Sequence, residues 1–287
     1  MLTEGARVAW CGRNPERLAE SERLMREEFP QSGILTFACD VLDRSQVDAF
    51  AAQVREAFGG ADCLINNAGQ GRVSSFDETL DEDWLAEAEL KLFSVIHPVR
   101  AFLPLLEASD CASITNVNSL LALQPEPHMI ATSAARAGLL NLTHSLAHEF
   151  AAKGIRVNSI LLGMVESGQW RRRFEARSDR SLGWDSWIAG IAAKRGIPMG
   201  RLGRPQEPAR ALVFLASPWP RSPPARPWMC PAASTVTYKE SLANEATDDD
   251  RIRRHGAGSG GAAAGRSQAA LAGGAGRQRR RDPGEAG

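Results

Sequence analysis

The chain has almost no tyrosine. Its one tyrosine, Tyr238, lies in a segment rich in proline, alanine and arginine, so the segments predicted to fold contain no phenol that could transfer a proton. The five cysteines are scattered singly and show no Cys-x-x-Cys spacing. Cysteines in this pattern provide neither a metal-site motif nor the disulfide framework of a small secreted protein, and they favour a reduced, cytoplasmic chain.

An excess of charge of one sign is also lacking, because 34 lysines and arginines balance 34 aspartates and glutamates. No overall field then attracts the protein to nucleic acid or to anionic lipid, and we expect neither as a partner. No window of the sequence reaches the roughly 18 apolar residues that a membrane-spanning helix requires. We therefore expect a soluble protein whose partners are small molecules or other copies of itself.

Strand-like and helix-like segments alternate along residues 1–217. Apolar runs predict strands at 7–11, 34–38, 63–65, 113–117 and 155–162, and helical spacing of apolar residues predicts helices between them. A further helix is predicted from Gln206 to Ser217, and Pro98 is expected to bend or break the long helix from Trp84 to Leu106. This alternation predicts an α/β fold with a doubly wound parallel sheet that helices cover on both faces.

The composition changes after residue 217. Residues 218–287 are rich in proline, alanine, glycine and arginine, and after Tyr238 their only branched aliphatic residues are Leu242, Ile252 and Leu271. Such a segment buries too little apolar surface to fold, so we expect a low-complexity, disordered tail. The basic cluster at 279–281 is interpreted as a solvated part of this tail rather than as a nucleic-acid contact.

Four motifs connect the chain to a known family: Asn66-Asn67-Ala68-Gly69 after a predicted strand, Ser119 at a strand end, the stretch from Thr132 to Arg136, and Arg156-Val157-Asn158-Ser159. In residue type and spacing, residues 2–217 resemble the short-chain dehydrogenases/reductases. The resemblance implies a Rossmann-like sheet and hydride transfer between a nicotinamide cofactor and a carbonyl or alcohol substrate. It also implies a homodimer or homotetramer formed through the two longest helices.

The catalytic positions of this family hold different residues here. The family serine corresponds to Ser119, whereas its tyrosine, lysine and asparagine correspond to Thr132, Arg136 and Lys91. A threonine hydroxyl does not ionise at biological pH, and a guanidinium stays protonated, so neither can relay a proton as tyrosine and lysine do. Two residues remain as alternative proton donors, Lys91 and His128.

The resemblance also implies the residues that bind the cofactor. They are Arg13, Asp40, Val41, Asn67, Ala68, Gly69, Arg136, Gly163, Val165 and Ser167. Arg13 follows the first predicted strand, where the family distinguishes its cofactors, and arginine suits a 2′-phosphate, so NADP(H) is favoured over NAD(H). Residues 167–198, with three tryptophans, are expected to form a lid over an apolar substrate.

Two pieces of the family pattern have no counterpart in this sequence: the first strand with its glycine-rich turn, and the last strand. We therefore expect a sheet that is incomplete at its first and last strands, with a gap between the strands near Val8 and Leu64, and we interpret the sequence as the product of a misread gene. Two alternatives to an active enzyme stay open. They are a non-catalytic relative that binds nucleotide or forms oligomers, and a truncated, nonfunctional product.

Overall fold

The structure, a computed structural model, describes residues 1–218 together with Trp228 and Met229. The predictions for the rest of the tail, including Tyr238 and the basic cluster at 279–281, lie outside the described residues.

Strands and helices alternate along the described residues, which confirms the predicted α/β fold. The strands are β1 (Val8–Gly12), β2 (Ile34–Ala38), β3 (Cys63–Asn66), β4 (Ser113–Ser119), β5 (Arg156–Leu162) and β6 (Trp228–Met229). The helices are α1 (Pro15–Glu28), α2 (Arg44–Phe58), α3 (Asp81–Glu107), α4 (Ile130–Ala151), α5 (Gly168–Ala176), α6 (Trp184–Lys194) and α7 (Gln206–Ala216).

Capping residues explain where the first helices begin and end. The Asn14 side chain accepts a hydrogen bond from the backbone N–H of Arg17, and Asp43 accepts from Ser45 and Gln46 at the start of α2. Each contact satisfies a backbone donor that the first turn of a helix leaves without a partner. Helix α2 ends at Gly59, whose φ of 79° is readily adopted only by glycine.

Every strand pair is parallel, and the strands form two sheets. Strand β1 pairs with β2, Val8 lying opposite Ile34, and the second sheet has the order β3-β4-β5-β6. Within the described residues, β1 and β3 share no ladder of hydrogen bonds, as expected for the predicted gap between them. Accordingly, β4 and β5 are buried along most of their length, whereas every residue of β1 is half-buried.

Helix packing joins the two sheets into one hydrophobic core. The ring of Phe50 on α2 lies 5.7 Å from that of Phe37 on β2 and 5.5 Å from that of Phe102 on α3. The same cluster continues through Leu106 and Ile114, which are fully buried. Side-chain packing therefore connects β2 to the helices that cover the second sheet.

Three features differ from the sequence-based expectations. Helix α3 runs without a break through Pro98 and Pro104, because Pro98 is buried and the packing of this long helix offsets the lost hydrogen bond. Two residues of the segment expected to be disordered, Trp228 and Met229, form β6 and pair with Ile160 and Leu161. The expected lid contains two helices, α5 and α6, that were not predicted.

Among the described residues, no helix combines the length and the apolar character that crossing a membrane requires. Over the same part of the chain, no group of three or more histidine, cysteine, aspartate or glutamate residues is arranged to hold a metal ion.

Candidate active site

The candidate site lies at the carboxyl ends of the parallel strands, where ligands bind in open α/β sheets. It is formed by the loop after β3, the end of β4 and the first turns of α4. Residues 67–70 of the loop are exposed, while Ser119 at the end of β4 is half-buried.

Buried asparagines hold this edge of the sheet in place. The Asn66 side chain donates to the side-chain oxygen of Asn116 at 2.8 Å, and Asn116 donates to the Thr143 hydroxyl of α4 at 3.0 Å. Asn118 donates to the backbone oxygen of Arg136 at 3.0 Å and accepts from the Ser119 backbone N–H at 2.8 Å. The ends of β3 and β4 are therefore tied to α4 by hydrogen bonds that are largely shielded from water.

A buried ion pair lies beside this framework. Lys91 Nζ is 3.0 Å from Glu87 Oε2 one turn earlier on α3, and their side chains are only 1% and 6% exposed. Lys91 Nζ also donates to the backbone oxygen of Gln70 at 2.6 Å, in the loop after β3. Burial lowers the pKa of Lys91, while the Glu87 carboxylate opposes this by stabilising the charged form.

Thr132 is part of the same network. Its hydroxyl donates to Glu87 Oε2 at 2.6 Å and accepts the backbone N–H of Arg72 at 2.9 Å. The residue is 2% exposed. With its one proton directed to a carboxylate, Thr132 holds the loop rather than presenting a free hydroxyl at the surface of the site.

Arg136 lies one turn after Thr132, on the same face of α4. Its Nη1 donates to the backbone oxygen of Val117 at 3.0 Å, and a Cβ atom at Gly69 would lie 3.4 Å from its Nη2. Burial lowers its pKa and the negative charge of Glu87 opposes this, but an arginine remains protonated. Its Nε is buried and has no hydrogen-bond partner within the described part of the chain.

Ser119 and His128, two further predicted site residues, have different surroundings. Ser119 Oγ accepts the backbone N–H of Leu121 at 3.3 Å, which leaves its own proton available. His128 Nε2 lies 3.1 Å from a Glu126 carboxylate oxygen and 3.4 Å from an Arg195 nitrogen. His128 therefore belongs to a polar contact between the loop before α4 and the end of α6. Lys91, in contrast, shares the Glu87 carboxylate with Thr132.

The residues predicted to bind the adenosine half of the cofactor, Arg13, Asp40 and Val41, lie after β1 and β2. Arg13 Nη1 is 3.8 Å from Asp40 Oδ2, and the Arg13 side chain is 73% exposed. The backbone oxygen of Val41 is 3.3 Å from His97 Nδ1 on α3. The guanidinium donors of Arg13 are therefore directed largely to solvent, where they could meet an anionic group.

The segment after β5 carries the remaining predicted cofactor residues, Gly163, Val165 and Ser167. It is held by a backbone bridge between Val165 and Gly203 and by the bond from Glu166 N–H to the Gly203 oxygen at 2.8 Å. Ser167 is exposed and directly precedes α5. This segment is thus anchored to Gly203 and leads into α5, the first helix of the expected lid.

An aromatic cluster joins the two lid helices. Trp184 and Trp187 of α6 pack against Phe174 of α5 at ring distances of 5.3 and 5.5 Å. The Arg171 guanidinium lies 3.6 Å above the Trp184 ring, and that of Arg177 lies 3.7 Å above the Phe174 ring. Much of the tryptophan surface therefore packs α5 against α6, so it is less available to line a substrate pocket than the sequence suggested.

Sequence reasoning missed Glu87, which accepts hydrogen bonds from both Lys91 and Thr132. The signal was the four-residue spacing of Glu87 and Lys91 on a predicted helix, which places both side chains on one face. That spacing is usual for exposed pairs too, so it does not by itself indicate burial.

A family model described as short chain dehydrogenase matches residues 1–178. The chain belongs to the short-chain dehydrogenase family. The structure places Thr132 and Arg136, the two residues predicted at the catalytic positions of this family, against the loop after β3.

Solved structures of a short-chain oxidoreductase from Pseudomonas aeruginosa PAO1, described as containing an atypical catalytic centre, are similar to this chain. The apo form is 56% identical, with a TM-score of 0.79, and the match covers 82% of this chain and 90% of that one. The NADPH-bound form has a TM-score of 0.76 at 56% identity, with 79% and 86% covered.

Two further relatives are more distant. The L-sorbose reductase of Gluconobacter frateurii, solved with NADPH and L-sorbose, is 30% identical with a TM-score of 0.75, and the match covers 81% of this chain and 89% of that one. The 3-oxoacyl-(acyl-carrier-protein) reductase of Thermotoga maritima is 29% identical over 181 residues, which cover 63% of this chain and 69% of the relative. Relatives of this family thus act on quite different substrates.

Proposed function

We propose that this protein transfers hydride between NADP(H) and a small carbonyl or alcohol substrate, with Ser119 and Arg136 as the groups that contact the reacting centre. The observation that carries the proposal is the placement of Arg136. Its Nη1 donates to the Val117 oxygen near the end of β4, and its Nη2 approaches Gly69 in the loop after β3. A guanidinium held in this way at the edge of the sheet is suited to donate to a hydroxyl or carbonyl oxygen of a ligand.

The residues present fit a phosphorylated nicotinamide dinucleotide. Arg13, exposed at the end of β1, would hold the 2′-phosphate, and Arg136 with the backbone of residues 67–69 would hold the nicotinamide half. When bound, NADPH supplies the hydride. The Pseudomonas relative with 56% identity was solved with NADPH, which supports this choice of cofactor.

Reduction of a carbonyl adds a hydride to carbon and a proton to oxygen, so negative charge develops on the oxygen. The Ser119 hydroxyl would donate to that oxygen, and the fixed positive charge of Arg136 would stabilise it. Neither group is an ionisable acid, so we propose that solvent supplies the proton. Thr132 and Lys91 act as positioning residues, because both are almost fully buried and hydrogen-bonded within the protein.

The absence of an ionisable acid in contact with the substrate favours slow turnover. Loss of a general acid typically lowers rates by about 10²- to 10⁴-fold. The second candidate function, nucleotide binding without catalysis, is favoured by the Thr132 hydroxyl, whose proton is directed to Glu87.

One titration followed by one screen separates these functions. NADPH is added to the purified protein while nicotinamide fluorescence is recorded, and a panel of aldehydes, ketones and sugars is then tested for NADPH oxidation. We expect saturable binding, slow oxidation with at least one carbonyl, and a loss of about 10²- to 10³-fold in rate in Arg136→Met, the size typical of removing one oxyanion donor. The matched control is Arg55→Met, at an exposed arginine of α2. Binding without oxidation would instead indicate the non-catalytic function, and absence of binding would refute both.

A further inference from the structure

We infer that Glu87 is a positioning residue of the candidate active site, which acts through Lys91 and Thr132 to fix the loop from Gly69 to Arg72 over Arg136. This inference rests on the proposed function for its catalytic consequence, while the geometry that carries it is independent of any substrate.

The first argument is that one oxygen atom links two helices. Glu87 Oε2 accepts from Lys91 on its own helix, at 3.0 Å, and from Thr132 on α4, at 2.6 Å. Measured over the whole residue, all three are 4% exposed or less. Hydrogen bonds to a buried carboxylate are stronger than neutral ones, so this contact fixes the spacing between α3 and α4.

The second argument is that both partners of Glu87 continue into the same loop. Lys91 donates to the Gln70 oxygen at 2.6 Å, and Thr132 accepts the Arg72 N–H at 2.9 Å. The loop is exposed from 67 to 70. These two bonds attach its buried side to α3 and α4, in addition to the more exposed ion pair of Arg72 with Asp83 of α3. Gly69, next to Gln70, is also the residue that approaches Arg136.

The third argument concerns charge. Two cations, Lys91 on α3 and Arg136 on α4, face Glu87, and both interact electrostatically with its carboxylate. The next ion pair along the loop, Arg72 with Asp83 at 2.9 Å, is self-contained and partly exposed. If Glu87 were uncharged, Lys91 and Arg136 would have no anion between them within the described part of the chain. The two neighbouring positive charges would then repel each other.

The test uses the 287-residue chain and four variants: Glu87→Gln, Lys91→Met, the double variant with both changes, and Glu107→Gln. The last is the matched control, because it breaks an exposed lysine–glutamate pair with Lys153. Three quantities are measured: the Tm, the hydrogen exchange of the peptide covering residues 66–76 in the absence of cofactor, and the Kd for NADPH from nicotinamide fluorescence.

In Glu87→Gln we expect a Tm lower by about 5–15 °C, because breaking a buried ion pair leaves an uncompensated charge. We expect exchange of the loop peptide to accelerate by about tenfold or more, and the Kd for NADPH to rise by a similar factor, since the loop is then no longer fixed. The double variant should regain most of the Tm, because both charges are gone, yet keep the fast loop exchange. Glu107→Gln should match the wild type in all three.

Two results would overturn the inference: loop exchange in Glu87→Gln equal to that of the wild type, or a double variant that regains the wild-type exchange along with the Tm. Failure of the proposed function is recognised separately, as a wild-type protein that does not bind NADPH. In that case the loop exchange still decides whether Glu87 fixes the loop.

Discussion

Replacing Thr132 by valine removes one hydroxyl and leaves the shape of the side chain almost unchanged. In the wild type this hydroxyl donates to the Glu87 carboxylate and accepts the N–H of Arg72. The variant would leave the carboxylate with one donor fewer and the Arg72 amide without its acceptor. Thr132→Val therefore tests whether this position is structural in this protein.

The expected loss of stability follows from these two bonds. A hydrogen bond to a charged group contributes about 1.5–3 kcal/mol, and a buried donor left unsatisfied costs about 1–3 kcal/mol. Because the loop is partly exposed, water can bind the Arg72 N–H and lower the cost of leaving it without its acceptor. We therefore expect the free energy of unfolding to fall by about 2–4 kcal/mol. For a domain of this size, the Tm should then fall by roughly 5–15 °C.

Urea unfolding followed by circular dichroism measures this change, and two controls accompany it. Thr132→Ser keeps the hydroxyl and should lose much less. Thr115→Val makes the same isosteric change at a fully buried threonine whose hydroxyl has no partner within the described part of the chain, so it should be neutral or stabilising. A Thr132→Val variant within about 0.5 kcal/mol of the wild type would refute the structural role.

Two further predictions concern charge. Arg13→Ala should raise the Kd for NADPH by about tenfold or more and leave the Kd for NADH unchanged, because the lost contact is charge-assisted and specific to the 2′-phosphate. Fluorescence titration measures both Kd values. Equal effects on the two cofactors would contradict the assignment of Arg13 to the 2′-phosphate. Burial lowers the pKa of Lys91 below its ordinary value of 10.5, so between the lowered value and 10.5 the unfolded chain binds more protons than the folded one. The free energy of unfolding of the wild type should therefore rise with pH in this window relative to Lys91→Met, and urea unfolding at several pH values that gives parallel curves would rule this out.

Local signals predicted most of the secondary structure. Asn14 and Asp43 cap α1 and α2, and the apolar runs at 34–38 and 155–162 correspond to β2 and β5. The helix caps could be predicted because they depend on contacts between residues close in sequence. The two strands pair with segments distant in sequence, but their burial leaves a run of apolar residues that is visible locally.

The candidate site could be predicted only in part. The family resemblance predicts Thr132 and Arg136 as site residues, but the contacts of the Thr132 hydroxyl depend on Glu87, which lies 45 residues away in sequence. No local pattern distinguishes a buried glutamate–lysine pair from an exposed one, since the spacing on the helix is the same. The unbroken α3 at Pro98 has a similar explanation, because long-range packing outweighs a local preference.

The division of the strands into two sheets has a mechanical consequence. Within residues 1–218, the unit formed by β1, β2, α1 and α2 is held to the rest through side chains such as the Phe37–Phe50–Phe102 stack, with no main-chain ladder across the junction. Protein segments joined in this way open as cooperative units below the free energy of global unfolding. Arg13 belongs to this unit, whereas Arg136 lies on the opposite side of the junction. A dinucleotide held by both arginines would therefore connect the two parts, and it would stabilise the protein by an amount that grows with the logarithm of its concentration divided by its Kd.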